Sequence, residues 1–199
     1  MNIAVFASHN GTDLQAIIDA CQKGVLKASV CVVLSNNGTS MALERARIAG
    51  IASYHVSAKV YGDDDALDDR ILEILEDHNT DIVFLAGYLK KMGARVLRRY
   101  QNRIFNIHPA LLPKYGGEGM YGMNVHKAVI DAREKETGIT IHRASEDYDK
   151  GEIVAQTTVP VLDSDTAESL AGRVLEREHV FIVEVLSLIV AGEISTEKP

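Results

Sequence analysis

The run Ile3-Ala4-Val5-Phe6-Ala7 is apolar and is stopped by the turn-forming Ser8-His9-Asn10-Gly11, which predicts a buried strand over residues 2–7. Leu14, Ile17, Ile18 and Cys21 then recur at helical spacing, so a helix follows, capped at Gly11 or Thr12. The same grammar repeats. Residues 28–34 read as a strand closed by Ser35-Asn36-Asn37-Gly38, and Ala42, Leu43, Ala46 and Ala49 as a helix ending at Gly50. Residues 52–56 predict a short strand. A helix over about 64–77 carries Leu67, Ile71, Leu72, Ile74 and Leu75, with Asp63, Asp64 and Asp65 at its start, where carboxylates suit the positive end of a helix dipole. Two further strands are predicted over 81–86 and 103–107. Continuous apolar strands alternating with helices predict an α/β fold of Rossmann-like type: a mostly parallel twisted sheet with helices on both faces.

The pattern changes after residue 108. Two of the chain's four prolines fall within Pro109-Ala110-Leu111-Leu112-Pro113, and an irregular loop is predicted from there to about Gly122. A helix near 124–132, strands near 137–143 and 152–160, and a long helix near 167–191 complete one domain over 1–193. The tail 194–199 is expected to fray. Composition agrees with this reading, since 46% hydrophobic and 25% charged residues are ordinary for a globular chain of 199 residues. The net charge of -7 argues against a nucleic-acid or membrane-surface binder and directs attention to small-molecule partners. The first strand begins at once, with no signal-peptide pattern, and no apolar run nears the roughly 20 residues of a membrane span. With only Cys21 and Cys31, both expected to be reduced, a cytoplasmic location is expected. Neither a monomer nor a homodimer is favoured.

In an open parallel sheet, ligands bind beyond the carboxyl ends of the strands. Three polar segments occupy such ends: 8–13, 87–91 and 106–113. At the first, a glycine-containing turn enters a helix whose free N–H groups favour an anion, although the segment matches no dinucleotide or triphosphate fingerprint. At the third, Asn106 and His108 flank Ile107, so an extended backbone points both polar side chains to one side and the isoleucine to the core. A carboxamide that donates to an oxyanion, beside a histidine that exchanges a proton near neutral pH, suits acyl transfer. The seven histidines show no metal-ligand spacing, so no metal is expected, and no nucleophile elbow for a serine hydrolase is present.

The segments Asn106-Ile107-His108-Pro109-Ala110-Leu111-Leu112-Pro113, Gly138-Ile139-Thr140-Ile141-His142 and Tyr148-Asp149-Lys150-Gly151 together resemble the formyltransferase family that uses 10-formyltetrahydrofolate as co-substrate. The resemblance covers residues 1–193 and implies the formyltransferase fold. Within the family, Ala7-Ser8-His9-Asn10-Gly11-Thr12-Asp13-Leu14-Gln15 and the chain length resemble the branch that formylates glycinamide ribonucleotide in purine synthesis.

Position by position, the resemblance implies that Asn106, His108 and Asp149 are catalytic. It implies that Gly11, Thr12 and Asp13 form a phosphate-binding turn, and that Glu178 contacts the ribose. Leu89, Lys90, Lys91 and Met92 are implied to face the folate, as is the loop Arg143, Ala144, Ser145, Glu146 and Asp147. Asp13 stands where the family usually has asparagine. The phosphate is therefore expected on the backbone N–H groups of 11–13, with the Asp13 carboxylate directed away. In the implied mechanism the substrate amine attacks the formyl carbon directly. Asn106 and His108 stabilise the oxyanion, and Asp149 holds His108 protonated and helps relay the proton. The alternatives are a formyltetrahydrofolate hydrolase, which carries an additional amino-terminal domain, and a non-catalytic nucleotide- or folate-binding module. Methionyl-tRNA formyltransferase shares the central motif but adds an RNA-binding domain and a different first turn.

Overall fold

The computed structural model describes residues 1–197. Five parallel strands come first in the chain: β1 (Asn2–Phe6), β2 (Ser29–Ser35), β3 (Ala52–His55), β4 (Ile82–Leu85) and β5 (Ile104–His108). Two antiparallel strands, β6 (Glu136–Arg143) and β7 (Ile153–Pro160), extend the sheet, giving the order β3-β2-β1-β4-β5-β6-β7. The strand order reverses direction between β1 and β4, which is where ligands gather in doubly wound sheets. The helices are α1 (Thr12–Gln22), α2 (Met41–Ile48), α3 (Ala58–Tyr61), α4 (Asp64–Asp77), α5 (Ala94–Arg99), α6 (Met123–Asp131) and α7 (Ala167–Val190). The expected mostly parallel α/β sheet is present. The short helices α3 and α5 were not predicted, because elements of four and six residues carry no readable helical period.

Strand alternation divides the core in two. Ile3 and Val5 join one apolar cluster with Leu14, Ile17, Val129 and much of α7, whereas Ala4 and Phe6 join a second with Ile71, Ile74, Leu75 and Val96. Helices therefore cover both faces. The helix α5 depends on its neighbour: the buried Asp68 of α4 accepts from the N–H groups of Arg95, at 2.8 Å, and Val96, at 3.3 Å. This satisfies first-turn donors that a short helix would otherwise strand.

Ser8 locks the strand ends together. Its N–H donates to the Gly87 carbonyl at 3.1 Å, and its hydroxyl donates to Asn36 Oδ1 at 2.6 Å while accepting from Leu89 N–H at 2.9 Å. The segment expected to fray makes contacts as far as Glu197. Ile194 packs on the first cluster, and the carbonyls of Ser195 and Glu197 accept from Arg143 and Asn102. The expectation for residues 198–199 lies outside the described residues.

Gly11 sets the entry to α1. It is the N-cap at φ 64°, and a Cβ there would lie 2.8 Å from the Ala42 Cβ and 2.9 Å from its Cα. Left-handed backbone costs an L-residue about 1–2 kcal/mol, and overpacking adds about 1–3 kcal/mol. Gly11→Ala is expected to lower unfolding free energy by at least about 2 kcal/mol, measured from urea midpoints at unchanged slope; an unshifted midpoint would show that the turn relaxes freely.

Candidate active site

The β5–β6 register sets Asn106 opposite His142 and His108 opposite Thr140. The alternate residues Phe105, Ile107, Ile139 and Ile141 enter the first apolar cluster, so the four polar side chains share the other side. On that side the second cluster reaches β5 only at Ile104. Beyond it the wall becomes polar, and Asn106, His108 and His142 line a cavity of about 640 Å³.

Asp149 closes this group from the loop after β6. Its Oδ2 accepts the Gly117 N–H at 2.9 Å and lies 3.6 Å from His108 Nδ1. Its Oδ1 lies 3.4 Å from both Asn106 Nδ2 and His142 Nε2. The loop can turn so tightly only because residue 151 is glycine, where a Cβ would collide with the Arg143 carbonyl oxygen. The segment after His108 is held by Thr140, whose hydroxyl donates to the Ala110 carbonyl at 2.6 Å and accepts from Leu112 N–H at 3.1 Å. Farther along, Tyr115 and Lys114 both bind Glu134 Oε1, at 2.9 and 2.8 Å.

Hydrogen-bond partners assign the histidine tautomers. His142 Nδ1 is 2.8 Å from the Arg143 carbonyl and so carries hydrogen, leaving Nε2 to accept from Asn106 Nδ2 at 3.0 Å. His108 Nε2 is 2.7 Å from the Tyr115 carbonyl and donates to it, leaving the Nδ1 lone pair toward Asp149. The second N–H of Asn106 has only the long contact to Asp149, which makes it the freer donor.

Burial raises the Asp149 carboxyl, but the His142 bond, the His108 charge and the Gly117 N–H outweigh burial and hold it below the usual carboxylate range. For His108 the balance is opposite. Burial lowers its pKa below the ordinary 6.5 and outweighs the raising effect of Asp149. Asp149 acts in the expected direction, favouring the protonated ring, and burial acts against it. His126 of α6 also lines the cavity, 6% exposed, with burial and then His108 lowering its pKa.

At the α1 end, Asn10, Asp13 and Glu178 line the cavity, whereas the Thr12 side chain lies in a separate groove with Gln15 and Arg45. Gly11 contributes its backbone as N-cap. Asp13 Oδ1 is fully buried. Helix α7 packs along α1 and brings His179 Nε2 to 3.5 Å from that oxygen, and His179 lines the separate groove with Thr12. Burial raises the Asp13 carboxyl to about 6, and burial followed by the Asp13 charge raises Glu178 well above 4.5.

At the opposite end, Leu89, Lys90, Lys91 and Met92 line the cavity with Ala144, Ser145, Asp147 and Tyr148. Lys91 joins the two segments, 3.7 Å from Asp147 and 5.2 Å from the Tyr148 ring centre. Glu146 lies outside the lining. Arg143 is a correction: alternation on β6 turns its side chain opposite to His142, over the Phe105 ring, where it binds Glu152 and the Asn102 and Ser195 carbonyls. Sequence reasoning missed His142 as a member of the central group. The available signal was the alternation of Thr140-Ile141-His142 on a strand neighbouring Asn106-Ile107-His108. Among the described residues, no group of three or more His, Cys, Asp or Glu side chains is arranged to hold a metal ion.

A family profile described as Formyl transferase matches residues 1–186. The chain is 34% identical over 194 residues to the phosphoribosylglycinamide formyltransferase of Escherichia coli, covering 98% of this chain and 89% of that protein. It is 39% identical over 188 residues to the chloroplastic phosphoribosylglycinamide formyltransferase of Arabidopsis thaliana, covering 94% of this chain and 64% of that protein, so it spans just under two thirds of that relative's length. The glycinamide ribonucleotide transformylase 1 structure from Symbiobacterium toebii superposes with a TM-score of 0.89 at 36% identity, covering 96% of this chain and 88% of that one. A formyltetrahydrofolate deformylase from Pseudomonas syringae, 22% identical with a TM-score of 0.83 over 96% of this chain and 61% of that one, shares the fold alone. By the extent of the profile match and its identity to relatives of nearly its own length, the chain belongs to the formyl transferase family.

Proposed function

We propose that the protein transfers the formyl group of 10-formyltetrahydrofolate to the primary amine of glycinamide ribonucleotide. The reading is carried by one observation: Asn106, His108 and Asp149 meet at a cavity that is also lined by the α1 turn and by the segments 89–92 and 144–148, which differ in chemistry. The α1 end offers the first-turn N–H groups of a helix and the Glu178 carboxyl, which suit a phosphoribosyl group. The other end offers apolar Leu89, Met92, Ala144 and Tyr148 walls for a flat ring system, with Lys90 and Lys91 cations for carboxylates. The names of the relatives support both substrates. A cytoplasmic setting is part of the same proposal and is consistent with the free thiols Cys21 and Cys31.

The residues divide the work according to their protonation. As the amine attacks the formyl carbon, negative charge grows on the formyl oxygen, and the freer N–H of Asn106 donates to it. The attacking nitrogen must then lose a proton. The His108 Nδ1 lone pair accepts it, and the imidazolium so formed lies against Asp149, which stays ionised. His142 holds Asn106 through its Nε2, so it is a positioning residue. The proton on His108 is then available to the departing folate nitrogen.

Two outcomes test this proposal. Asn106→Ala, His108→Ala and Asp149→Asn are each expected to lower kcat by about 10²–10³-fold with the fold intact by circular dichroism. Near-wild-type turnover in all three would remove the assignment. Loss of 10-formyltetrahydrofolate, followed by absorbance, should require glycinamide ribonucleotide, whereas loss without it would indicate a hydrolase. The pH dependence gives a third test. Because His108 must be neutral and its pKa is lowered, kcat at saturating substrates should stay high near neutrality and fall only as pH drops through a value below 6.5. An acid limb centred above 6.5 would contradict the neutral-base role.

A further inference from the structure

Arg45, beside the turn that enters α1, carries a charge that no carboxylate among the described residues pairs with. Ala42 and Arg45 lie one turn apart on the same face of α2, and both meet that entry turn. The Ala42 N–H donates to the His9 carbonyl at 3.1 Å, and Ala42 packs against Gly11. Arg45 donates through Nε to the Asn10 carbonyl at 2.8 Å and through Nη1 to Gln15 Oε1 at 3.0 Å. Its guanidinium therefore bridges from the residue before the N-cap to a side chain within α1.

Both acceptors are neutral, and the carboxylates nearby are committed elsewhere. Glu44 binds Arg47 through both oxygens, at 2.8 and 2.7 Å, and Asp19 Oδ1 accepts from Gln15 Nε2 at 2.8 Å. Gln15 thus stands between Arg45 and Asp19, an amide that bonds to both and cancels neither charge. The other cations of these helices have acidic partners: Lys23 lies 4.0 Å from Asp19, Arg173 pairs with Asp165 and Arg177 with Glu184.

The turn that Arg45 holds is rich in idle donors. The N–H groups of Gly11, Thr12 and Asp13 find no acceptor among the described residues. A trans peptide sets its C=O and N–H on opposite sides, so by holding the Asn10 carbonyl Arg45 turns the Gly11 N–H away from itself. Asn10 and Asp13 line the cavity, whereas Thr12 and Arg45 line the groove behind the turn. Asp13 and Glu178 add two carboxyl groups to the cavity wall, so a phosphate seated there calls for a counter-charge.

We propose that Arg45 is a positioning residue for the substrate's phosphate: it fixes the Asn10–Gly11 turn and sets an unneutralised positive charge behind the N–H groups that receive the anion. This rests on the functional reading above and deepens it. The charge acts through the turn, in the same sense as the positive end of the α1 dipole. It favours a phosphate monoester over the corresponding alcohol, so part of the selectivity for a phosphorylated amine resides on α2, outside the cavity lining.

The test compares glycinamide ribonucleotide with glycinamide riboside, the same molecule without its phosphate. Binding is measured by titration calorimetry, directly for the first ligand and by displacement for the second. Arg45→Gln removes the charge, whereas Gln15→Glu keeps Arg45 on its turn and sets a carboxylate against it. Each variant should weaken glycinamide ribonucleotide about tenfold and leave the Kd of glycinamide riboside at its wild-type value. Equal weakening of both ligands, or of neither, would overturn the proposal. A loss confined to Arg45→Gln would overturn it too, because the turn would then matter and the charge would not. The expected binding pattern without formyl transfer by wild type would overturn the functional reading and leave the role of Arg45 standing. Absence of glycinamide ribonucleotide binding by wild type would remove both.

Discussion

The Asp149 carboxylate, 10% exposed, joins the loop after β6 to the loop after β5 and to the paired strands β5 and β6. A charge so poorly solvated is tolerated only with donors around it. The donors are the Gly117 N–H at 2.9 Å and Asn106 Nδ2 at 3.4 Å, while the ring nitrogens of His108 and His142 lie 3.6 and 3.4 Å away. The Gly117 bond ties the carboxylate to the segment after β5, which Thr140 and Glu134 hold closer to the strand. The φ of 55° at Asp149 and the close pass of Gly151 under the Arg143 carbonyl show the backbone shaped around that demand. Positioning and electrostatics are thus a single constraint: the loop that carries the negative charge also determines where a proton on His108 is stabilised.

The cavity on either side of this centre is electrostatically asymmetric. One end concentrates protonatable carboxyls, Asp13 and Glu178, against the amino end of a helix; the other presents Lys90 and Lys91 beside apolar walls. Each set of residues suits a different substrate of the proposed reaction. Burial acts throughout in favour of neutral forms, raising Asp13 and Glu178 and lowering His108 and His126. Asp149 escapes because its hydrogen bonds exceed its desolvation.

The legible features were those that depend on local period. Alternation in Ile104-Phe105-Asn106-Ile107-His108 is a property of any extended backbone, so the shared orientation of Asn106 and His108 could be read without knowing what they face. The long helix α7 and the amphipathic α1 and α4 were similarly readable, and so was the mostly parallel sheet they imply. The antiparallel turn of β6 and β7, and the helices α3 and α5, were not. The helix α5 takes its first-turn acceptor from Asp68, twenty-seven residues earlier, a contact that exists only after α4 has docked.

The sequence by itself determined which elements form, which side of β5 is polar, and, through its resemblance to a known family, the residue types of the reaction centre. Tertiary structure decided the protonation and direction of those groups. His142 became the partner of Asn106 through a sheet register, and the desolvation that lowers the His108 pKa comes from everything packed around it. Asp13 Oδ1 lies against His179 because α7 packs on α1, and Arg143 points out because its strand neighbours leave it no other side. Periodicity is carried by residues a few positions apart, whereas burial, charge balance and hydrogen-bond partnership are set by groups distant in the chain that meet only in the folded molecule.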